Sequence, residues 1–273
     1  MASALALCDT HCHIHDDDYP LAAKEVLSGA SVAGVGRLVT MGSDVASSRQ
    51  AIKYAQQHSG CHDVVIRAGV GLYPHEVPAE GLIADTISEL CDLIKEGAEL
   101  IAGVGEIGLD YYYDTVPRQR QISALEQLIQ LAIDNNLPMS FHVRSGEWGD
   151  AFTDFWAIMR NFPTARGVLH SFTDSMVNLE RALTAGLYIG VNGIVTFNKD
   201  EQLNEVYDNI PLERMVLETD APYLAPRPYR GKVNQPAYIR QIAEQLADRR
   251  GLELVRLAEL TTRNAVAIYP ALA

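Results

Sequence analysis

The chain has 273 residues, 48% hydrophobic and 21% charged, with a formal net charge of -13. That composition excludes a disordered chain, and the acidic balance excludes a broad basic footprint for duplex DNA or an anionic membrane, so any phosphate must be held locally. Four cysteines without CxxC spacing exclude a disulfide scaffold; with no apolar run near the ~18 residues of a membrane span, the expectation is reduced thiols, a cytoplasmic location and no membrane association.

Apolar runs rich in Val, Ile and Leu recur at 5–12, 37–42, 64–70, 100–106, 138–143, 166–171, 188–193 and 215–219. Each is followed by a longer segment with helical spacing. Within 119–135, Ile122, Leu125, Leu128, Ile129 and Ala132 form one stripe, and further helices are predicted over 237–249 and 253–267. Buried strands alternating with helices predict an α/β (β/α)8 TIM barrel rather than an open sheet. No linker, low-complexity tract or repeat interrupts it, so residues 1–273 are expected to form a single domain. The proline-rich, basic segment 221–236 (APYLAPRPYRGKVNQP) is expected to be a long loop over the barrel mouth, either ordered or mobile.

Asp9-Thr10-His11-Cys12-His13 closes the first predicted strand. Residues two apart on a strand share a face, about 6.6 Å apart, so His11 and His13 can reach one metal while Cys12 points away. Taken alone, HxH fits two surface histidines equally well. Glu106, His142, His170 and Asp220 close the predicted strands four, five, six and eight. In a parallel barrel the βα loops converge at those ends and carry the active site. Five strand ends all offering imidazole or carboxylate predict a metal site. The set suits zinc, with magnesium or manganese admissible, and exceeds one tetrahedral sphere. Two divalent ions about 3.5–4 Å apart are therefore expected, with Glu106 as the bridge. Asp220 is expected to bind one ion and to accept a proton from the attacking water.

In chain order, DTHCH (9–13), GVGLYPH (69–75), GEIGLDYYYD (105–114), HVR (142–144), LHSF (169–172) and ETDAPYL (218–224) resemble the TatD family of metal-dependent deoxyribonucleases, within the wider amidohydrolase-type barrels. The resemblance implies that His11 and His13 bind the first metal, Glu106 bridges, His142 and His170 bind the second, and Asp220 completes the first site. It also implies hydrolysis of phosphodiesters in nucleic acid, DNA foremost, with 3'-5' exonuclease-like trimming. Two departures bear on substrate contact. Tyr73 stands before Pro74-His75 where the family usually carries histidine, and His15 followed by Asp16-Asp17-Asp18 stands where it tends to carry an acidic residue.

His75 is expected either to face the mouth and bond a phosphate or to be a plain loop histidine. Arg144, two residues beyond His142, is expected to grip phosphate bidentately or to pair with Glu147 or Asp110. Asp110 is a candidate to orient a ligand histidine. Arg227, Arg230 and Lys232 form a compact basic cluster that either holds a nucleic-acid backbone or is solvated loop. Tyr111, Tyr112 and Tyr113 either stack on a base or pack the rim. Gly103, Gly105 and Gly108 have the wrong order for dinucleotide binding and read as clearance around metals. The rival reaction is cleavage of an amide, lactone or aminoacyl ester, as in aminoacyl-tRNA deacylation. The rival from another class is metal or nucleic-acid binding without turnover. No obligate protein partner is inferred.

Overall fold

A computed structural model describes residues 5–273. Strands β1 (Leu7–Cys12), β2 (Val35–Met41), β3 (Val65–Leu72), β4 (Ile101–Asp110), β5 (Met139–Arg144), β6 (Gly167–Leu169), β7 (Tyr188–Val191) and β8 (Met215–Leu217) pair in sequence order, all parallel. Helices α1 (Ala23–Ala33), α2 (Val45–His58), α3 (Ile83–Glu96), α4 (Arg118–Asp134), α5 (Ala151–Met159), α6 (Met176–Thr184), α7 (Glu201–Asn209), α8 (Ile239–Arg250) and α9 (Leu254–Ile268) surround them. This is the expected (β/α)8 TIM barrel. No helix among the described residues is long and apolar enough to cross a membrane.

Strand ends differ from the sequence reading where the site is built. β4 continues past residue 106 to Asp110, pairing Gly108 with His142 and Asp110 with Arg144, so Glu106 lies inside a strand. β6 and β8 stop early, at Leu169 and Leu217. Ser171 (φ 49) and Asp220 (φ 58) adopt left-handed backbone, which turns the chain out of the sheet and leaves His170 and Asp220 just beyond it.

Two bulges aim the key side chains. β1 has one extra residue between Asp9 and Cys12 against β2. That insertion reverses the alternation: Cys8 belongs to the barrel interior and Cys12 to the layer under the helices. His11 and His13 thereby share the inner face. β4 has one extra residue between Val104 and Ile107 against both β3 and β5, which re-aims the chain at Gly105-Glu106. Gly105 and Gly108 are required here, because a Cβ at Gly105 would sit 2.6 Å from Ser140 Cβ and one at Gly108 1.7 Å from the His142 carbonyl oxygen.

β1 and β8 close the barrel largely through side chains. Thr10 Oγ1 donates to Leu217 O at 3.0 Å, and the Asp9 carboxylate accepts the Thr219 N–H (2.9 Å) and hydroxyl (2.6 Å). The Asp220 N–H donates to His11 O at 2.8 Å, which seats Asp220 beside the strand-one histidines. At the other end of the interior, Cys8, Val39, Ala102, Val168 and Val216 pack on Ile268, Tyr269 and Leu272. The C-terminal segment plugs the barrel there, pinned by Arg37 Nε donating to Leu272 O at 2.7 Å.

Candidate metal centre

The structure brings His11, His13, Glu106, His142, His170 and Asp220 into one cluster. Glu106 is 4% exposed and divides its oxygens between two histidine pairs. Oε2 lies 3.4 Å from His11 Nε2 and 3.6 Å from His13 Nε2; Oε1 lies 2.8 Å from His142 Nδ1 and 3.8 Å from His170 Nε2. Asp220 Oδ1 lies 3.6 Å from His13 Nε2, 3.7 Å from His170 Nε2 and 4.0 Å from His11 Nε2. The His11 and His170 rings stack at 3.6 Å.

Each imidazole has its second nitrogen held from behind. His11 Nδ1 lies 3.0 Å from Ser140 Oγ, His13 Nδ1 2.8 Å from Met41 O and His142 Nε2 3.1 Å from Asp110 Oδ2. His170 Nδ1 lies 3.0 Å from Glu218 Oε1, an ion-pair contact whose angle falls short of a hydrogen bond. Such backing fixes ring orientation and is the arrangement that metal-binding histidines need. His11 Nε2 and His13 Nε2 face each other at 3.2 Å, a separation that requires a proton or a cation between two nitrogen lone pairs. Ligand atoms of His11, Glu106 and His170, and again of His11, His13 and Asp220, lie within 4.8 Å of one another. The buried His, Glu and Asp groups fit a metal site.

Burial opposes charge on every group, and the mutual fields decide the outcome. His13 rises to about 9 against its burial through Asp220 and Glu106, His142 to about 9 through Asp110 and Glu106, and His170 to about 8 through Glu218 and Asp220. His11 is depressed by burial and by neighbouring His170. Glu106 and Asp220 are held below their ordinary range despite burial, Glu106 by His11 and His142 and Asp220 by His170 and His13. Without an ion the site is held together by protons, which a divalent cation must displace.

The family model described as TatD related DNase matches residues 8–270. The chain belongs to the TatD family. It is 35% identical over 266 residues to YcfH of Escherichia coli strain K12, named as an uncharacterized metal-dependent hydrolase, covering 96% of this chain and 95% of that one. It is 32% identical over 253 residues to a protein of Erwinia amylovora named 3'-5' ssDNA/RNA exonuclease TatD, covering 90% of this chain and 92% of that one. The crystal structure of the TatD homologue YjjV from Escherichia coli K12 shares the fold, with a TM-score of 0.83 at 24% identity over 97% of this chain and 98% of that one. The chain is accordingly a TatD-family metal-dependent hydrolase.

In this TatD chain the cluster floors a cavity of about 690 Å³ at the C-terminal ends of the strands. Arg144 is the one arginine or lysine among its described lining residues. Its guanidinium stacks 3.8 Å over the Tyr112 ring and comes within 3.9 Å of Asp110 Oδ2. His75 sits behind that wall, 3.4 Å from Asp110 Oδ2 and hydrogen-bonded to Thr115. Tyr113 and Tyr223 line the cavity with exposed rings, whereas Tyr111 is buried and donates to Asp154 at 2.7 Å.

The basic cluster is not brought into the TatD cavity. Arg230 stacks 3.8 Å over Phe197 and donates to Ala225 O, Lys232 lies beside the Tyr229 ring, and Arg227 is exposed, its N–H on Thr196. The 221–236 segment is a loop clasped by Asn234, whose amide donates to Thr219 O (2.8 Å) and Tyr223 O (2.6 Å). His15 is a satisfied core histidine: Nδ1 meets Thr40 Oγ1, Nε2 meets Ser47 Oγ, and burial pushes it down to about 3. Asp110 backs His142 as the sequence led us to expect. Ser140, Met41 O and Glu218 were not anticipated; for Glu218 the only signal is its place two residues before Asp220. A separate groove between α5 and α6, lined by Trp156, Met159 and Val177, lies away from the strand ends and offers none of this chemistry.

Proposed function

We propose that the chain hydrolyses phosphodiester bonds in nucleic acid, as a deoxyribonuclease trimming strands from the 3' end. In this reading His11, His13 and Asp220 would hold one divalent ion and His142 and His170 a second, with Glu106 available to both, and an imidazole-rich set would favour zinc. The observation that carries it is the Glu106 carboxylate, one oxygen toward each histidine pair, on the floor of a cavity whose one lining arginine or lysine is Arg144.

Bound divalent ions supply Lewis acidity, making water acidic enough to lose a proton near neutral pH and offsetting charge on the phosphoryl oxygens. The protein's own groups do the rest. Asp220, its side chain 15% exposed to the cavity, accepts the proton of the attacking water. Its left-handed backbone keeps the carboxylate aimed inward, a conformation Asp tolerates better than most residues. Arg144 offers its guanidinium fork to the non-bridging oxygens. Tyr113 and Tyr223 present ring faces to a nucleobase beside the scissile bond. His75 reaches substrate only by exchanging its Asp110 contact.

The test is hydrolysis of single-stranded, duplex and abasic DNA beside an aminoacyl ester panel, with zinc, magnesium or manganese added, by wild type, Glu106→Ala and Asp220→Ala. Wild type is expected to turn over DNA, and both variants to keep their fold and lose that activity. Full nuclease activity in either variant, or turnover of carbonyl substrates alone, overturns the proposal.

A further inference from the structure

Asp110, fully buried, is the most heavily engaged carboxylate around the site. Its Oδ1 accepts the Tyr112 N–H at 2.9 Å. Its Oδ2 accepts the Tyr73 hydroxyl at 2.9 Å and faces His142 Nε2 at 3.1 Å, with His75 Nε2 at 3.4 Å and Arg144 Nη1 at 3.9 Å. Gln121 clamps the Asp110 main chain, accepting from its N–H at 2.8 Å and donating to its carbonyl at 3.1 Å. Tyr73 is fixed from two further directions. Its N–H donates to Ser43 O at 2.7 Å, and its ring packs edge-to-face on His142 at 5.0 Å and on His75 at 5.4 Å.

We propose that Tyr73 is a positioning residue for one metal ion of the two-ion site: through Asp110 and the His142 ring it holds Nδ1 of His142 toward Glu106, and so sets affinity on that side without touching the ion. The proposal rests on the two-ion reading above.

A half-turn of the His142 ring about Cβ–Cγ would put Cδ2 in the place of Nδ1 and Cε1 in the place of Nε2, and so turn carbon toward both Glu106 and Asp110. The Nε2 contact with Asp110 selects the pose that presents Nδ1 to Glu106, and this selection is only as firm as the carboxylate itself. A carboxylate rotates about its last bond unless both oxygens are engaged. Tyr112 N–H takes one oxygen and Tyr73 OH the other. The phenol is a neutral donor, in contrast to the Arg144 guanidinium. It fills a lone pair of Oδ2 without cancelling the negative charge that makes His142 a more basic ligand. A ring without the hydroxyl fills the same space and loses that function alone.

Cobalt(II) titration of the metal-free full chain separates the possibilities, because visible bands report each ion's surroundings independently of catalysis. Wild type is expected to take up two ions. Tyr73→Phe is expected to weaken one of them about tenfold, with an altered band, and to leave the other and the circular dichroism spectrum unchanged. Asp110→Asn, which removes the charge at constant size, is expected to weaken the same ion further. Wild-type affinity and spectrum in Tyr73→Phe, or equal weakening of both ions, overturns the assignment. Uptake of fewer than two ions by wild type overturns this proposal together with the two-ion reading. Two-ion uptake without phosphodiester turnover removes only the reaction proposed above, and the titration still decides the role of Tyr73.

Discussion

At one end of the barrel interior, Cys8, Val39, Ala102, Val168 and Val216 pack on Tyr269 and Leu272; further along the same strands or just past their ends, His11, Glu106, His142, His170 and Asp220 fill the other end with ionisable groups. The plugged end is apolar, and each buried valine or leucine there contributes about 1.5–3 kcal/mol by leaving water. At the open end, burial works against every charge, and only reciprocal pairing holds the groups in place. Stability and chemistry are thus segregated along the barrel axis: the plugged end supplies rigidity, and the open end uses it to hold ligands no ordinary core would keep.

The largest test of that division is Asp220→Asn. The expected outcome is a folded protein whose kcat falls about 10³-fold or more, equivalent to ~4 kcal/mol of lost barrier lowering. Leu272→Ala, fully buried at the plugged end, should do the converse. Denaturant unfolding should show a loss of about 2–5 kcal/mol, while kcat below the melting transition stays at the wild-type value. If each variant damages both properties together, the two ends are not separable.

Periodicity located every strand and α4, α8 and α9, because buried parallel strands alternating with amphipathic helices leave a pattern that tertiary packing does not override. Strand ends were less legible. The left-handed turns at Ser171 and Asp220 fall on non-glycine residues, the bulge in β1 has no compositional mark, and the glycines of β4 read as clearance around metals rather than as a bulge, so Glu106 read as a strand terminus. The six clustered residues were visible as chemistry at strand ends. Their supports were not, since Ser140 and a main-chain carbonyl look like any strand residue until the barrel curls them behind His11 and His13. The basic loop read as either a backbone contact or a solvated loop because only its charge is visible in sequence, whereas the Asn234 clasp and the Phe197 stack that shape it join residues distant along the chain.

An intermediate effect should separate the ends by pH. His13 and His142 at about 9 and His170 at about 8 lie above their ordinary value of 6.5. Folded protein binds these protons more tightly than unfolded, so the stabilisation is complete below pH 6.5 and lost as pH rises toward 9. Asp9, raised to about 7 by burial, adds a loss in the same direction as pH rises toward 7. Glu106 and Asp220, held low, contribute a constant amount across this window. The melting temperature of metal-free protein should therefore fall between pH 6.5 and 9. Zinc competes with the same protons, so the rise in melting temperature on adding zinc should grow over that window. A flat metal-free profile in scanning fluorimetry would mean the open end is not proton-loaded.

The smallest effects distinguish Arg144, inside the cavity, from the basic loop outside it. Counterion release from a single strand gives a slope of about -0.7 in log affinity against log salt for each neutralised phosphate. Arg144 alone as a phosphate contact then predicts a slope near -0.7 for kcat/KM at fixed metal, whereas Arg227 and Lys232 acting with it would steepen the slope to about -2. Arg144→Ala is expected to raise KM about tenfold, the scale of one charge-assisted hydrogen bond, and to flatten the slope. Arg227→Ala combined with Lys232→Ala should change KM by no more than about twofold, since neither side chain lines the cavity. Arg230 is best left intact, because its stack on Phe197 and its bond to Ala225 O shape the loop itself. A steep slope that disappears in the loop variant but survives Arg144→Ala would route the nucleic-acid backbone over the loop, and would leave the Arg144 stack on Tyr112 a structural feature of the rim.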